Sequence, residues 1–487
     1  MDSPRPARNP WLVFSILVVV QYLMVLDVSI ILVAIPSIQD DLGFEQSQLA
    51  WVMDSYILAF AGLMLLGGRI ADLFGRRRVL MIGLVLAGLT ALGGGLASSP
   101  WLLLAARGGQ GLAAAIVVPA AMALVTDLFE EGPDRNKALS IFSGIGGIAG
   151  STGTPLGGVL TTVSWHWVFY VNVPIIIAVM IAGSMLLPHD RKLARGGVDL
   201  TGALTGTAGL CMFVFAVLRG SEIGWSSPGT LTFFVVAVVL FAVFAVRQLR
   251  ATNPMIPRIL FRLKHIVLGN LVNILTGVLM FGIFFVLTLH LQQDRLFTPL
   301  NAALCTLPVT LGLAFGTQIV VRLLGRITPV QALLGAATTQ AIGLIWWGLA
   351  LNIDGSVITG FMIPGAVWAL GCGGCIVSGA IVCTSVADGG VRGAASGLVN
   401  MTLQVGGAIG VAALSTVAAM RSVAVSTGDP TDPQTLLAGH SWALFGGAVA
   451  ALLMIPLTLW LLRHVGPPPA PDDEADTTTP DAVAATG

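Results

Sequence analysis

Charged residues are scarce in this chain. Only 10% of its 487 residues are Asp, Glu, Lys or Arg, and the formal net charge is zero. An ordinary globular protein carries about 25% charged residues, so this composition excludes a soluble globular domain. Because the chain has no excess of basic residues, we also expect no nucleic-acid partner.

Motifs that would indicate an enzyme or an ATP-driven pump are absent as well. There is no Walker A sequence, and none of the three lysines follows a glycine. His-Glu-x-x-His and Gly-x-Ser-x-Gly do not occur, and the six histidines are scattered along the sequence. We therefore expect no enzymatic activity, no cofactor and no metal site, and the energy for any transport must come from a gradient.

Cysteine is rare, and its five occurrences fit no disulfide framework because all of them lie in apolar segments. They are Cys211, Cys305, Cys372, Cys375 and Cys383. The pair in "CGGC" has the outline of a redox or metal site, but no His or further Cys pair stands near it in the sequence. We interpret this stretch as small residues at a contact between helices.

Apolar residues are abundant instead. They make up 55% of the chain, and the mean hydropathy is +0.90. They are grouped in runs of about 20 residues, the length that an α-helix needs to cross a bilayer, whereas the alternating segments of a membrane β-barrel are missing. The sequence thus predicts an all-α integral membrane protein with fourteen transmembrane helices. The predicted spans lie near residues 11–36, 48–69, 79–98, 101–123, 138–162, 167–187, 200–218, 229–247, 265–289, 300–322, 328–350, 357–380, 394–419 and 437–461.

The basic residues predict the orientation of these helices, because short cytoplasmic loops carry an excess of Lys and Arg. With the N-terminus inside, twenty of the 24 Lys and Arg residues fall on or beside the cytoplasmic side. Both termini are then cytoplasmic. Several tryptophans fall at the outer boundary, where an aromatic belt is expected. These are Trp51, Trp101, Trp165, Trp167 and Trp225.

Two weak internal matches indicate a repeat. "DLFGRR" (72–77) corresponds to "RLLGRI" (322–327), and the glycine-rich stretch at 146–158 corresponds to "GGAIGVAALSTV" (406–417). Such repeats form a substrate site at their interface, which is exposed alternately to each side as the halves rock. We therefore divide the chain into a cytoplasmic N-terminus, a six-helix bundle, two inserted helices with their loops, a second six-helix bundle and a disordered cytoplasmic tail. The five parts are residues 1–10, 11–187, 188–264, 265–461 and 462–487.

The most specific stretch, "GRIADLFGRRR", joins the second and third predicted helices. Its Gly68, Asp72, Gly75, Arg76 and Arg77 fit the pattern Gly-x-x-x-Asp-x-x-Gly-Arg-Arg. A basic cytoplasmic hairpin would explain the arginines, but not the glycines or the acid. Here the chain resembles the major facilitator superfamily. We interpret the stretch as a cytoplasmic gate, in which charge pairs between the acid and arginines latch the two halves together.

Two charged residues are predicted to meet inside the membrane. Asp27 lies about 13 Å and Arg107 about 9 Å below the outer boundary, at about 1.5 Å per helical residue. A charge at mid-bilayer costs about 2.5–3.5 kcal/mol on insertion scales, which indicates that the acid is used. We interpret the pair as a site of proton coupling or substrate contact, and the alternative is a static pair that holds the bundle together. "RGGQG", which begins at Arg107, resembles the superfamily motif Arg-x-x-Gln-Gly.

A third charged residue, Asp54, is predicted to lie only about 4.5 Å below the outer boundary marked by Trp51. We expect water to reach it there. Two interpretations stay open for Asp54: it lines an outer vestibule, or it takes part directly in proton coupling or substrate binding.

The fifth predicted span carries a stretch rich in small residues. Its members are Gly146, Gly150, Gly153, Pro155, Gly157 and Gly158. Four of the glycines recur every three or four residues, so they form one helix face on which another backbone can approach closely. Because the proline also removes a backbone hydrogen bond, we expect a hinge at which helices slide or bend. The stretch resembles the exporter motif Gly-Pro-x-x-Gly-Gly, with the proline displaced by one position.

Three further stretches resemble the fourteen-helix drug:proton antiporter family. They are "LDVSIILVAIP" (26–36), "WHWVFYVNVPI" (165–175) and "AASGLVNMTLQVGGAIGVA" (394–412). The chain departs from the family pattern at Leu32 and His166, where the family has Asn and Arg. The resemblance covers nearly the whole chain, and it implies the major facilitator fold.

The resemblance implies a proton-coupled secondary active transporter in a bacterial plasma membrane. Such a protein exports apolar or amphipathic small molecules, such as drugs, antibiotics or dyes, by alternating access. The expected partners are the small-molecule substrate, protons and the lipid bilayer, and we expect a monomer. One alternative is a narrow transporter of a single metabolite. A membrane-embedded enzyme or a sensor would need a catalytic constellation or an added soluble domain, and the sequence shows neither.

Overall fold

The fold is helical throughout the part of the chain that the computed structural model describes. The described residues are 9–45, 48–129, 133–188, 200–251, 259–260, 263–324, 326–384, 389–426 and 432–464. No strand occurs among them. The predicted disordered tail lies outside the described residues from position 465 onward, and so do residues 189–199 of the predicted loop before the two inserted helices.

Fifteen α-helices and two short π-helices make up the described residues. The first group of helices is α1 (Pro10–Leu42), α2 (Ala50–Phe74), α3 (Arg76–Gly95), α4 (Pro100–Leu128), α5 (Pro133–Val163), α6 (Trp167–Tyr170) and α7 (Asn172–Leu186). A central pair follows, α8 (Leu200–Ile223) and α9 (Pro228–Arg250). The last group is α10 (Lys264–Leu289), α11 (Pro299–Leu323), α12 (Pro329–Ala350), α13 (Ile363–Thr384), α14 (Gly389–Val425) and α15 (Pro433–His464), with π-helices at His290–Asp294 and Ile358–Met362.

Each predicted span overlaps one of these helices. Eleven helices among the described residues are long and apolar enough to cross a membrane, and Ala50–Met64 and Leu204–Val217 form shorter apolar helices. The all-α membrane protein expected from the sequence is therefore confirmed. The number of fourteen crossings and the side on which the termini lie stay predictions.

The end of α1 differs from the prediction. The first predicted span ends at Pro36, but α1 continues through this proline to Leu42, as transmembrane helices often do where neighbouring groups satisfy the freed backbone carbonyl. α1 ends instead at Gly43, whose φ of 69° places it in the left-handed region and whose N–H bonds the Gln39 carbonyl. The sixth predicted span begins with the short α6 and continues into α7 through Val171, whose backbone angles of −59° and −29° are helical.

Several helix starts follow simple local rules. Proline occupies the first turn of α4, α9, α11 and α12, where its missing N–H has no partner to lose. Ser227 and Thr298 accept backbone N–H groups at the starts of α9 and α11. Thr328 and Gln331 form a complete capping box at the start of α12. These caps fix the ends of the helices that the apolar runs predict.

The helices form two bundles that repeat the same contacts. In the first bundle α1 packs on α5 and α2 on α4, and in the second α10 packs on α14 and α11 on α13. The bundles meet where α5 contacts α11 and where α2 contacts α14. These two junctions are equivalent under the proposed repeat. The pair α8 and α9 packs beside α2 and α14 through α8.

The glycine stretch of α5 forms the contact with α1. A Cβ atom on Gly153 would lie 2.6 Å from the Ser29 Cβ, and one on Gly157 would lie 2.5 Å from the Ile30 carbonyl oxygen. In the second bundle, Gly406 and Gly410 of α14 approach the backbone of α10 in the same way. Both bundles thus use glycine to bring the equivalent pair of helices into backbone contact.

Replacing Gly157 with alanine is expected to destabilise the protein by about 1–3 kcal/mol, because the new methyl group would overlap a backbone oxygen of α1. The measurement is the thermal unfolding midpoint of the purified protein in detergent. Gly150→Ala is the matched control, since the nearest atom to its new methyl group, the Ser29 Oγ, lies 3.9 Å away. Equal midpoints for the two variants would contradict a tight contact at Gly157.

Candidate functional site

Asp27 is the centre of a buried polar network inside the first bundle. Its Oδ2 lies 2.8 Å from an Arg107 guanidinium nitrogen. Its Oδ1 accepts hydrogen bonds from the Gln110 amide at 2.8 Å and from the Asn172 amide at 3.1 Å. The donors come from α4 and α7, so a single carboxylate joins α1 to both helices.

Arg107 is fully buried, and most of its guanidinium is satisfied by other helices. Its Nε donates to the Val52 carbonyl of α2 at 3.0 Å, and the group that binds Asp27 also donates to Gln110. The guanidinium carbon lies 4.6 Å from the centre of the Tyr56 ring, and a cation over an aromatic face is stabilised. The remaining nitrogen, NH2, has no hydrogen-bond partner among the described residues. Removing the charge of Asp27 would therefore leave a buried cation without its counter-charge.

A narrow recess opens beside the Asp27 carboxylate. Its walls come from α1, α2, α3, α4 and α7, all of them helices of the first bundle. The lining residues are Leu23, Met24, Asp27, Tyr56, Ala87, Ala91, Gln110, Asn172 and Ile176. The walls are mostly apolar, so a proton that reaches Asp27 would enter a site of low dielectric. Asp27 thus faces the interior of one bundle rather than the junction between the two.

Asp54 is more deeply buried by its neighbours than the sequence analysis expected. The side chain is 0% exposed, and neither carboxyl oxygen has a hydrogen-bond partner among the described residues. The expectation that water reaches this residue is wrong for this conformation. Depth below the boundary gives the position along a helix axis, but it does not tell which helix face is covered by neighbours.

The cytoplasmic gate residues lie around a tight turn between α2 and α3. Gly75 has a φ of 100°, a conformation that residues with a Cβ rarely adopt. Arg76 binds Asp127 of α4 at 2.6 Å and donates to the Ala123 carbonyl at 3.1 Å, and Arg77 donates to the Ser184 carbonyl of α7 at 2.5 Å. These contacts stay within the first bundle.

Two other predicted gate residues lie on α2. Asp72 belongs to the last turn before the helix ends at Phe74, but its side chain lies outside the described part of the structure. Gly68 faces Pro119 of α4, with 3.6 Å between its virtual Cβ and the proline Cβ. Whether the gate latches the two bundles stays a prediction.

The bundles meet closely at the end of the molecule that the sequence assigns to the outer side. Gln292 donates to the Val33 carbonyl at 3.0 Å, and Gln293 donates to the Gln39 side chain at 3.1 Å. Gly158 of the predicted hinge lies here as well, since its virtual Cβ would be 2.5 Å from the Ala303 Cβ. The other predicted hinge glycines with a close contact face α1 instead. We call the contact of Gln292 and Gln293 with α1 the outer gate.

Apolar side chains from both bundles share one buried cluster at their junction. The second bundle contributes to it from α10 and α14, on the faces that meet α1 and α2. These residues are Phe281, Phe285, Leu289, Val405, Ala408, Val411 and Ala412, with Met280, Phe284 and Met401 packed against them. A surface of aromatic and flexible methionine side chains can adapt to apolar ligands of different shapes.

The cysteines have no redox partner in the described structure. Cys372 and Cys375 are free and buried in α13. The glycine that follows Cys372 approaches the Leu313 backbone of α11, and the next one approaches Ala336 of α12. The interpretation of this stretch as a helix contact agrees with these positions.

Sequence reasoning brought Asp27 and Arg107 together, but it missed three of the residues around the charges. Asn172 stands in a stretch that was noted only for its resemblance to a family. Tyr56 carries no signal, because an aromatic residue in an apolar span is usually part of the core. Asp127 gave a usable signal, since it is an acid at the inner end of a span with arginines on the neighbouring loop.

Comparisons with known proteins support the fold and the family. Residues 17–411 match the family model described as Major Facilitator Superfamily. The chain is 38% identical over 444 residues to the cephamycin export protein CmcT of Amycolatopsis lactamdurans. The aligned region covers 90% of this chain and 89% of that protein. It is 35% identical over 471 residues to the puromycin resistance protein pur8 of Streptomyces alboniger, covering 95% and 92%.

Solved structures show the same fold at low sequence identity. The POT family transporter PepTSo has a TM-score of 0.68 and 14% identity, covering 94% of this chain and 98% of that chain. A bacterial homolog of the human lysosomal transporter Spinster has a TM-score of 0.64 and 14% identity, covering 94% and 98%. From the matched family model, the two relatives and the helical architecture it follows that this chain is a multi-pass membrane protein of the Major Facilitator Superfamily, a transporter rather than an enzyme.

Proposed function

We propose that the protein exports apolar or amphipathic drug-like molecules in exchange for protons. The named relatives support export, since one is a cephamycin export protein and the other a puromycin resistance protein. The observation that carries proton coupling is the Asp27 network, because it places an ionisable carboxylate at the junction of three helices. No nucleotide or metal is required to drive the cycle.

A proton on Asp27 would change the forces on α1. The neutral carboxyl group attracts Arg107 far less than the carboxylate does, so α1 would be held less firmly against α4 and α7. The same helix carries Val33 and Gln39, which lie about 9 Å and 18 Å further along its axis and form the outer gate. Protonation of Asp27 therefore biases the outer gate through a shift of α1.

The proton gradient is strong enough for useful export. A potential of about 100 mV and a difference of about one pH unit together release about 3.7 kcal/mol per proton, which supports a roughly 500-fold gradient of a neutral substrate. For a monovalent cation exchanged against one proton the voltage terms cancel, and the limit falls to about 10-fold. The charge of the substrate therefore sets the export limit.

The apolar cluster at the junction of the bundles supports a substrate class. It offers aromatic, branched and methionine side chains from both bundles. Such a surface binds by apolar contact rather than by a fixed set of hydrogen bonds. We propose that drugs of different shapes bind there, and that Asp27 senses them through α1 without contacting them.

The remaining features belong to the same proposal. Fourteen transmembrane helices with both termini in the cytoplasm place the basic gate loop at Arg76 and Arg77 inside the cell. The latch at this loop and the hinge at Gly146, Gly150 and Pro155 would let the bundles rock. We propose that a single chain carries out the cycle, since the pathway lies between its own two bundles.

Asp54 is a second candidate for proton binding. It is a buried acid without a hydrogen-bond partner among the described residues, and burial of such a group is costly unless it has a function. It lies two residues from Val52, whose carbonyl accepts from Arg107. Asp27 has the larger role in proton coupling, because its carboxylate, unlike that of Asp54, is bonded to two neighbouring helices.

Replacing Asp27 with asparagine is expected to abolish substrate-induced proton movement in proteoliposomes. Asparagine keeps the shape of the side chain and can still accept from Arg107, but it cannot exchange a proton at physiological pH. The measurement is the change in luminal pH when substrate is added to reconstituted protein, with gel filtration to verify that the variant is folded.

Asp40→Asn is the matched control, because this acid lies on the same helix and is exposed at its outer end. It should leave proton movement at the wild-type level. The same assay on Asp54→Asn should show a smaller loss than Asp27→Asn. Undiminished exchange in the folded Asp27→Asn protein would refute the coupling role of Asp27.

A vesicle uptake screen is expected to separate broad from narrow specificity. In inside-out vesicles with an acidic lumen, several chemically unrelated apolar compounds should accumulate and compete with one another, because one adaptable apolar surface binds them all. Collapse of the pH gradient by an ionophore should abolish the accumulation of neutral compounds. Accumulation of one compound without competition from the others would favour the alternative, a transporter of a single metabolite.

A further inference from the structure

Two of the histidines that are scattered in the sequence meet one acid in the second bundle. The Asp294 Oδ2 lies 2.6 Å from the His290 Nδ1 and 2.7 Å from the His440 Nδ1. His290 and Asp294 are the first and last residues of the π-helix that follows α10, and His440 lies on α15. The sequence analysis expected no metal site, because the six histidines are scattered along the chain and no metal-binding motif occurs.

The three side chains are buried as a group. Asp294 is 2% exposed, His290 is 0% exposed and His440 is 3% exposed. The second carboxyl oxygen of Asp294 and the Nε2 of His290 have no hydrogen-bond partner among the described residues. A buried carboxylate with an unsatisfied oxygen is costly, and a bound cation would remove that cost.

We propose that His290, Asp294 and His440 form a binding site for a late first-row divalent metal ion such as Zn²⁺. Two imidazoles and a carboxylate are ligands that Zn²⁺ and Co²⁺ prefer, whereas Ca²⁺ and Mg²⁺ prefer oxygen ligands throughout. The candidate ligand atoms all lie within 4.8 Å of one another. Ligand atoms on a tetrahedral zinc ion lie roughly 3.4 Å apart, so each Nδ1 needs to move away from the Asp294 Oδ2 by less than about 1 Å from its hydrogen-bonded position.

Metal binding at Nδ1 requires that any proton on this atom leave it. In the hydrogen-bonded arrangement, the Nδ1 of each histidine lies within hydrogen-bond distance of the Asp294 Oδ2. When Nδ1 binds the metal, the ring proton resides on Nε2 instead. Three protein ligands leave a fourth position on the ion for a water molecule.

The neighbourhood supports an ordered site. The His290 ring stacks on Phe361, with 6.1 Å between the ring centres and 14° between their planes. Arg295 is the nearest cation in the sequence, and its guanidinium donates to the Asn352 carbonyl and side chain and to the Gly355 carbonyl. The guanidinium of Arg295 is therefore bound by the loop that carries Asn352 and Gly355. Phe361 offers no charge to the Asp294 carboxylate, and the guanidinium of Arg295 binds other groups. The hydrogen bonds described for this carboxylate therefore come from the two histidines.

The site is joined directly to the outer gate. Gln292 and Gln293 stand between the two ligands on the π-helix and bind α1. A metal ion that fixes this segment to α15 would hold both glutamines in the conformation that closes the gate. We expect occupancy to slow export, a consequence that rests on the proposed function, whereas metal binding itself does not.

The test measures metal binding on purified protein before any transport. Wild-type protein carrying a tag without histidine is equilibrated with Zn²⁺ and desalted, and the retained metal is counted. One zinc per wild-type chain and none in His290→Gln or His440→Gln is the expected result. His265→Gln, a change at the inner end of α10, is the matched control and should retain one zinc.

A second measurement uses the wild type alone, so the proposal stays testable even where a variant fails to fold. X-ray absorption of the zinc-loaded protein should show nitrogen and oxygen ligands at about 2.0–2.1 Å with the pattern of two imidazoles. No retained zinc in the wild type, or equal zinc in His265→Gln and folded His440→Gln, would mean that the cluster is only a hydrogen-bonded triad and would overturn the proposal.

Transport then separates this proposal from the proposed function. Zn²⁺ should slow export by the wild type about five- to tenfold and leave export by His440→Gln unchanged. Zinc that binds to the cluster without slowing export would overturn the link to the outer gate. A protein that binds zinc but exports nothing under any gradient would contradict the proposed function while leaving the metal site intact.

Discussion

The structure depends on the pairing of buried charges. In a medium of low dielectric constant, a charged side chain needs an opposite charge or hydrogen-bond partners, and here these come from other helices. Asp27 takes its donors from α4 and α7, and Arg107 takes its acceptors from α1 and α2. Breaking such a buried pair by removing one partner costs about 3–5 kcal/mol. The relative positions of four helices are therefore tied to the charge of one carboxylate.

On its opposite side, α1 contacts α5 in a different way. Towards α5 the contact is made by glycines, and a polar bond joins the Tyr22 hydroxyl to the Thr152 hydroxyl at 2.7 Å. Smooth backbone contact resists sliding much less than a charge pair does. In the second bundle, the equivalent helices α10 and α14 are joined by Asn273 and Asn270 through Thr402. α1 is thus held by a charge pair on one side and by glycine contact with the Tyr22–Thr152 bond on the other, whereas α10 and α14 are joined through two asparagines.

Much of this arrangement follows from the sequence, because the membrane restricts the choices. Long apolar runs predict the helices, glycine spacing predicts a face of α5 for close helix contact, and depth along a helix brings Asp27 to Arg107. The same reasoning failed for Asp54, because depth does not tell which face is covered. It also missed the meeting of Asp294 with His440, since contacts between distant helices depend on tertiary packing that no local pattern encodes.

α1 carries both Asp27 and the residues that contact the second bundle, so a change at Asp27 can affect the contact between the bundles. Asp27 acts on this helix from the first bundle, and Gln292 and Gln293 contact its outer part from the second. The segment that carries these glutamines is in turn bonded to α15 through Asp294. Hence a proton on Asp27 and a cation at Asp294 would act on the same contact from opposite bundles. The proton would weaken the hold of α4 and α7 on α1, and the cation would fix the segment that carries Gln292 and Gln293. Under the two proposals, the strength of the outer gate would then be set by two charges on opposite bundles.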